Sequence, residues 1–363
     1  MKDNSKNPDI SRNRSVDIAR GIAMICIVLG HLSAPQINRV VYTFHVPVFF
    51  LVSGYFFRPG QPFLGFLKRK AQTLLVPYAF FSALIILLAP VINELFLGGE
   101  GSRAIIRDWA AAALYGAGSK VNNLFGAPAI GALWFLPASF WGILFLWLLQ
   151  KIDCRIRAIL PGVLFFIACI SAKYVWLPFS LQAGCCALFY QYAGFLYKRL
   201  AIWARDGQDA DAGKDSLRML FHETGAAYIV FAFAAWFGFI RNFQSFWLVR
   251  CETGRGASDV FGSLCACSCV FFVSYILEKN KYVSAVLRPV AYLGKNSIYM
   301  LGAHILELNF FPWQIFKDGL HKWGMPVEFD LYVVIAAKFL WIIPASVLLS
   351  RSRFLKKIFG QFG

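Results

Sequence analysis

The sequence predicts an all-α polytopic membrane protein with about ten transmembrane helices and both termini in the cytoplasm. Of its 363 residues, 58% are hydrophobic and only 15% are charged, whereas about a quarter of an average soluble domain is charged. Apolar runs such as "FFSALIILLAPVI" and "FWGILFLWLL" recur along the whole chain. Runs of about twenty such residues cross a bilayer as helices, because hydrocarbon tolerates only a closed pattern of backbone hydrogen bonds.

The apolar runs mark the candidate spans one by one. The fifth candidate span, residues 156–172, is short enough to be tilted or re-entrant. Between the third and fourth, the stretch "SRAIIRDWAAAALYG" has apolar residues at helical spacing and predicts an interfacial helix. The ten candidate spans cover residues 16–33, 40–57, 72–96, 130–150, 156–172, 179–197, 224–240, 257–277, 288–308 and 331–350.

The net charge of +17 follows from membrane topology and does not predict a nucleic-acid partner. Lys and Arg lie mainly in the short connectors between apolar runs. With the N-terminus inside, the inner connectors hold more than twice as many of them as the outer ones, which is the asymmetry expected of cytoplasmic loops. The predicted division is a cytoplasmic tail over 1–15, a membrane domain over 16–350 and a cytoplasmic tail over 351–363.

The nine cysteines do not predict a metal site or a disulfide framework. Most of them lie inside apolar runs, where a thiol behaves as a small apolar group. None has the CxxC spacing of a zinc-ligand or redox pair. We therefore expect no bound metal.

The first span keeps Asp17, Arg20 and His31, although ionisable residues in a membrane are expensive and often functional. Steps of three and four residues place them on one helix face together with Met24 and Ile27. Arg20 and His31 are separated by about 16 Å of helical rise and about 20° of rotation. One face thus presents a cation near the inner boundary and an imidazole near the outer end. Alternatively, Asp17 and Arg20 simply pair at the inner interface, or Arg20 snorkels towards it.

The second span adds a further histidine and a serine. If a short loop, 34–39, closes a hairpin with the first span, His45 lies at a depth similar to that of His31. Pro47 would bend or loosen this helix and free backbone groups for a site. Ser53 is either a ligand contact or part of a small-residue packing contact.

The ninth span places a third histidine, His304, in the outer half of the membrane. Asn296 and Ser297 lie deeper and can donate and accept hydrogen bonds. Glu307 shares a helix face with His304 and either orients it or, as the simpler expectation, is an interfacial carboxylate beside an aqueous loop. Lys338, in the last span, has no assigned role.

These motifs resemble those of acyltransferase family 3, the integral-membrane O-acyltransferases of bacterial cell-surface glycans, and most of all its fucose 4-O-acetylase-like members. The resemblance rests on "RSVDIARGIAMICIVLGH", "FHVPVFFLVSGYFF", "LWFLPASF", "KRKAQTLLVPY" and "LGKNSIYMLGAH". It implies a multi-pass protein of the bacterial inner (cytoplasmic) membrane that moves an acyl group, usually acetyl from acetyl-CoA, to a sugar hydroxyl. The acceptor would be a cell-surface polysaccharide or its lipid-linked precursor.

The resemblance also implies roles for individual residues. Arg20 and His31 match the family's functional pair, and Asp17 matches the acidic residue before that arginine. His45 matches the second-span motif, and His304 matches the position after "GKNS". The candidate substrate-binding residues are therefore His45, Ser53, Trp134, Asn296, Ser297 and His304.

Acyl transfer to a hydroxyl needs a base, because an alcohol is a poor nucleophile at neutral pH. His31 is the predicted base, and His45 or His304 would orient the acceptor or stabilise the oxyanion. No serine or cysteine lies in a convincing nucleophile context, so direct transfer is favoured over an acyl-enzyme. Basic residues of the predicted inner mouth are candidate contacts for the CoA phosphates, although topology alone also explains them: Arg14, Arg58, Lys68, Arg69 and Lys70.

A proton-coupled secondary transporter of a small solute is the alternative function, with the histidines in a proton relay. Transporters usually show inverted repeats and broken helices at matching positions of two halves. The sequence shows no such internal symmetry, which favours the acyltransferase.

Overall fold

The protein is built almost entirely from α-helices. A computed structural model describes residues 14–32, 34–96, 101–206 and 214–361. The predicted tail residues 1–13, and residues 207–213 of the polar linker, lie outside this part of the chain. The helices are α1 (Arg14–Gly30), α2 (Pro35–Val41), α3 (His45–Tyr55), α4 (Phe63–Lys70), α5 (Val76–Phe96), α6 (Ser102–Tyr115), α7 (Phe135–Leu149), α8 (Cys154–Ser171), α9 (Leu181–Asp206), α10 (Lys214–Arg241), α11 (Ala257–Lys279), α12 (Lys281–Val286), α13 (Arg288–Lys295), α14 (Ser297–Phe310), α15 (Trp313–Lys322), α16 (Asp330–Arg351) and α17 (Arg353–Ile358).

The predicted all-α fold class agrees with this structure. Each of the ten predicted ranges is helical over most of its length, and the predicted interfacial helix is α6. Within the described residues, six helical stretches are long and apolar enough to cross a membrane. The number of ten spans and the cytoplasmic position of both termini stay predictions. The six stretches are Pro35–Tyr55, Phe63–Leu95, Gly131–Leu149, Cys154–Ser171, Ala257–Lys279 and Asp330–Arg351.

The second predicted span is interrupted, and the expected loop before it is helical. Residues 42–44 form a turn between α2 and α3. Pro47 explains where α3 begins: its ring cannot donate to a preceding carbonyl, so it fits only in the first helical turn. Pro35 is the first residue of α2, a position that proline favours, so residues 35–39 are helix and not loop.

The ninth predicted span is divided at Asn296. This residue has φ −104° and ψ 27°, outside the α-helical region. Its side-chain Nδ2 and its backbone N–H both donate to the carbonyl of Tyr292, at 2.9 Å and 3.0 Å, so this carbonyl is satisfied where α13 ends. The result is a short α13 followed by a separate α14.

Glycines set the close contact between α1 and α13. A Cβ atom on Gly21 would meet the backbone carbonyl of Val290, and one on Gly294 would meet the carbonyl of Asp17. Small residues of this kind let two helix backbones approach within a membrane bundle. The contact fixes α1, and with it the face that carries Arg20, against the α13–α14 segment.

The C-terminal segment folds back onto the bundle. Phe359 is 1% exposed, and its ring stacks on Tyr299 of α14 with centroids 5.8 Å apart. Leu355 of α17 is also buried in the main hydrophobic core. Residues of the predicted C-terminal tail therefore contribute to the core.

A short antiparallel hairpin completes the fold. Its strands are β1 (Phe246–Trp247) and β2 (Glu252–Thr253), with Phe246 opposite Thr253 and Trp247 opposite Glu252. The turn includes Cys251 with φ +52°. This hairpin lies beside the cavity described next.

Candidate active site

One cavity of about 530 Å³ is enclosed largely by α1, α3, α14 and the segment before α7. Arg20, Met24, Ile27 and His31 all line it, as expected of residues that share one face of α1. Asp17, on the same predicted face, is buried where α1 meets α13 and is not on the cavity wall. We call this space the main cavity.

One end of the main cavity, the arginine end, is cationic. Arg20 Nη2 donates to the Ser297 hydroxyl at 2.6 Å, and its guanidinium lies 5.9 Å from the ring centroid of Phe49. Lys70 and Lys295 line the same cavity. The predicted residues Arg20, Ser297 and Lys70 therefore share this space, and an anionic ligand would meet three positive charges.

A turn of π-helix, Ala71–Leu75, interrupts the chain between α4 and α5. Thr73 and Leu74 in this turn line the cavity, as does Lys70 just before it. π-turns inside helices occur frequently at functional sites. Here the turn lies where Gln361 of the C-terminal segment also reaches the cavity wall.

The other end, the histidine end, carries His31 directly after the last turn of α1. Its Nδ1 lies 2.8 Å from the carbonyl oxygen of Ile27, in the last turn of α1. A carbonyl only accepts, so the proton is assigned to Nδ1. In the neutral ring the lone pair then belongs to Nε2.

Behind His31 lies a chain of buried side chains. His304 Nε2 is 3.3 Å from His31 Nδ1, and His304 Nδ1 is 2.9 Å from Glu307 Oε2. Glu307 Oε1 accepts from Lys338 Nζ and from the Trp313 indole, each at 2.5 Å. His304, Glu307 and Lys338 are at most 3% exposed. We call His304, Glu307 and Lys338 the buried relay; His31, in front of it, is exposed.

His45 is held in the same way as His31. Its Nδ1 lies 2.5 Å from the carbonyl oxygen of Val41, at the end of α2, so its proton is also assigned to Nδ1. The ring packs edge-on against Tyr42 with centroids 4.9 Å apart. His45 lines the main cavity and presents a second acceptor nitrogen at the histidine end.

Comparison with known protein families decides the identity of the chain. A family model described as an acyltransferase domain matches residues 13–351, nearly the whole chain. The chain belongs to acyltransferase family 3. The comparisons with curated proteins and with solved structures found no match.

The structure brings part of the predicted site of this family 3 acyltransferase together. It places His304 behind His31 and not on the cavity wall, and the Asn296 amide is used within its own helix. Arg14 donates to the carbonyl of Ser284 at 2.5 Å, away from the cavity. Arg58, Lys68 and Arg69 are exposed and do not line it. The predicted residues that do line the main cavity are Arg20, His31, His45, Ser53, Lys70, Trp134 and Ser297.

The sequence leaves the role of Glu307 open between two alternatives and does not place Lys338 or Lys295 in the candidate site. The simpler expectation for Glu307, an interfacial carboxylate, is wrong because the side chain is buried against His304. Lys338 pairs with Glu307 across the contact between α14 and α16. The two residues are 31 positions apart in the sequence, so no local pattern predicts the pair. Lys295 lies in the motif "LGKNSIYMLGAH", but its place on the cavity depends on the break at Asn296.

The described residues of the acyltransferase contain no group of three or more His, Cys, Asp and Glu side chains that could hold a metal ion. The site chemistry that the geometry offers is that of oriented imidazoles and fixed cations.

Proposed function

We propose that this family 3 acyltransferase moves an acetyl group from acetyl-CoA to a sugar hydroxyl of a bacterial cell-surface polysaccharide or its lipid-linked precursor. It would act in the cytoplasmic membrane. The observation that carries the proposal is the main cavity, which is lined by Arg20 at one end and His31 at the other. A donor with a phosphorylated head and a long neutral arm fits such a space.

The donor would bind from the arginine end. CoA is polyanionic, and Arg20, Lys70 and Lys295 line the main cavity; charge-assisted hydrogen bonds from such cations to phosphate are strong. The helical rise from Arg20 to His31 is about 16 Å, which is comparable to the length of the pantetheine arm. The thioester would then lie beside His31.

His31 would act as the general base. Its Nε2 lone pair takes the proton of the acceptor hydroxyl while that oxygen forms a bond to the thioester carbonyl carbon. The carbon–sulfur bond then breaks, and the CoA thiolate leaves and takes up the proton from the imidazolium. No acyl-enzyme is required, and all atoms are accounted for by donor, acceptor and His31.

The buried relay would stabilise the imidazolium formed in this step. His31 Nδ1–H points at both the Ile27 carbonyl and His304 Nε2, and His304 in turn donates to the Glu307 carboxylate. A positive charge on His31 therefore faces two acceptors, the Ile27 carbonyl and His304 Nε2, with the Glu307 carboxylate behind His304. Lys338 balances Glu307 in the resting protein, since an unpaired buried carboxylate would be costly.

His45 would position the acceptor and would not stabilise the oxyanion. Its Nδ1–H is used by the Val41 carbonyl, so the neutral ring offers only an acceptor nitrogen to the cavity. That nitrogen suits a second sugar hydroxyl as donor. Trp134, whose indole N–H only donates, is the cavity residue better matched to a developing negative oxygen.

The test is whether O-acetylation of surface glycan depends on the chain and on His31. NMR would compare the O-acetyl content of surface glycan in a deletion strain, its parent, and strains complemented with the natural protein or with His31→Ala. We expect O-acetyl signals to be lost in the deletion strain and restored only by the natural protein. Unchanged O-acetyl content in the deletion strain, or gradient-driven solute flux by the protein in liposomes without acetyl-CoA consumption, would contradict the proposal.

A further inference from the structure

A second cavity, of about 920 Å³, lies beside the β1–β2 hairpin. Three connecting segments form it: residues 120–122 before α7, residues 166–173 at the end of α8, and residues 245–256 around the hairpin. Like the main cavity it is bounded partly by loops, but its wall is more polar. Its lining residues include Lys120, Asn122, Lys173, Ser245, Arg250, Glu252 and Thr253.

The wall of the second cavity is predominantly cationic. Lys120, Lys173 and Arg250 line it together with one carboxylate, that of Glu252, which lies 3.8 Å from the Arg250 guanidinium. Burial raises the pKa of the Cys251 thiol, so this lining group stays neutral and adds no negative charge. The excess of positive charge favours an anionic ligand.

The hairpin connects this second cavity with the histidine end of the main cavity. Trp247 lines the main cavity, and the Arg250 guanidinium of the second cavity lies 5.6 Å from its ring centroid. Trp247 is also 6.3 Å from the ring of Tyr42, which packs on His45. A continuous row of side chains thus leads from an imidazole at the site to a guanidinium in the second cavity.

We propose that the second cavity binds an anionic group of the saccharide acceptor, with Trp247 as a platform for the sugar between that group and His31. A carboxylate or a phosphate would pair with the Arg250 fork and the two lysines. Aromatic rings such as Trp247 combine a large apolar face with a polar edge, which suits the mixed surface of a sugar ring. This inference rests on the proposed transfer to a sugar hydroxyl.

The anionic group could be a sugar carboxylate or the diphosphate of a lipid-linked sugar. Three probes separate these sources: a uronic-acid trisaccharide, its carboxyl-reduced counterpart and a polyprenyl-diphosphate-linked sugar. Binding of each would be measured on the purified full-length protein without donor, so the result does not depend on turnover. Preference for the uronic-acid probe or for the diphosphate probe over the neutral one identifies the source.

The variants are Lys120→Gln, Lys173→Gln and Arg250→Gln, alone and combined, and the matched control is Arg241→Gln. Arg241 is an exposed cation at the end of α10 that lines neither cavity. We expect the combined variant to lose about tenfold in affinity for the preferred anionic probe, to bind the neutral probe as before, and to keep the thermal stability of the control. Retained affinity for the anionic probe, or equal binding of all probes by the natural protein, would overturn the inference.

Failure of the proposed function would look different. In that case no probe would accept an acetyl group from acetyl-CoA, whatever its affinity for the second cavity. The Arg250→Lys variant keeps the charge but loses the guanidinium fork, so it should bind the anionic probe more tightly than Arg250→Gln and more weakly than the natural protein.

Discussion

His304 Nε2 lies 3.3 Å from Nδ1 of His31, on the side of the ring away from the base nitrogen. The two imidazoles meet edge to face, with centroids 4.9 Å apart and planes at 70°. Both rings are fixed by acceptors, His31 by the Ile27 carbonyl and His304 by the Glu307 carboxylate. The orientation of the proposed base is therefore set from within the protein before any substrate binds.

The contacts of Glu307 with His304 and Lys338 predict that Glu307→Gln lowers both the catalytic rate and the folding stability, for different reasons. Glu307→Gln should lower kcat by about 10- to 100-fold, a part of the 10²- to 10⁴-fold that a general base contributes, because a neutral amide balances the imidazolium poorly. The same change leaves Lys338 as an unpaired buried cation, which costs about 3–5 kcal/mol of folding free energy. Steady-state kinetics and denaturant unfolding in detergent measure the two effects.

The double variant Glu307→Gln with Lys338→Met separates the two causes. Removing both charges of a buried pair is often neutral for stability, so the double variant should regain the unfolding free energy but not kcat. Full recovery of kcat in this variant would show that Glu307 acts only on stability.

Arg20→Gln should raise the KM for acetyl-CoA by about tenfold or more, because a charge-assisted hydrogen bond to phosphate is worth about 1.5–3 kcal/mol. The acceptor KM should change little. Lys68→Gln is the matched control, since Lys68 is an exposed cation two residues before Lys70 and does not line the cavity. Equal KM values for acetyl-CoA in the two variants would show that Arg20 does not bind the donor.

The contact between α1 and α13 predicts that two glycine-to-alanine substitutions differ in their effect on the free energy of unfolding. Gly21→Ala places a methyl group against the carbonyl of Val290 and should lower the free energy of unfolding by about 1–3 kcal/mol. Gly65→Ala, on an open face of α4, should leave it unchanged or raise it by up to about 1 kcal/mol. Thermal unfolding in detergent distinguishes these outcomes, and similar midpoints would mean that α1 and α13 are not closely packed.

The C-terminal segment should be required for stability. Phe359→Ala removes a buried ring that stacks on Tyr299, and the expected loss is about 3–5 kcal/mol of unfolding free energy. Phe354→Ala is the control, because Phe354 on the neighbouring helix is 64% exposed. If both variants unfold like the natural protein, the segment does not pack as described.

Helical periodicity predicts which face of α1 lines the main cavity. Four of the five residues on the predicted stripe, Arg20, Met24, Ile27 and His31, line the main cavity, because a straight helix keeps such residues on one side. The histidines of other helices could be grouped only by expected depth. The bonds of His31 to Ile27 and of His45 to Val41 depend on where α1 and α2 end, and such ends are harder to predict than helical faces.

Other features of the site and fold could not be predicted from the sequence, because they depend on three-dimensional packing. The pairing of Glu307 with Lys338 joins two helices whose relative rotation no sequence pattern fixes. The break at Asn296 is marked by its non-helical φ and ψ, although its N–H still makes the helical bond to the Tyr292 carbonyl. Burial of Phe359 reflects a partner, Tyr299, from another part of the chain.

The most direct test of the central claim is the kinetics of acetyl transfer by the purified protein with His31→Gln, read together with donor affinity. The account predicts a fall in kcat of at least about 100-fold with an unchanged dissociation constant for acetyl-CoA, since the donor phosphates bind at the arginine end. A kcat close to that of the natural protein would contradict it.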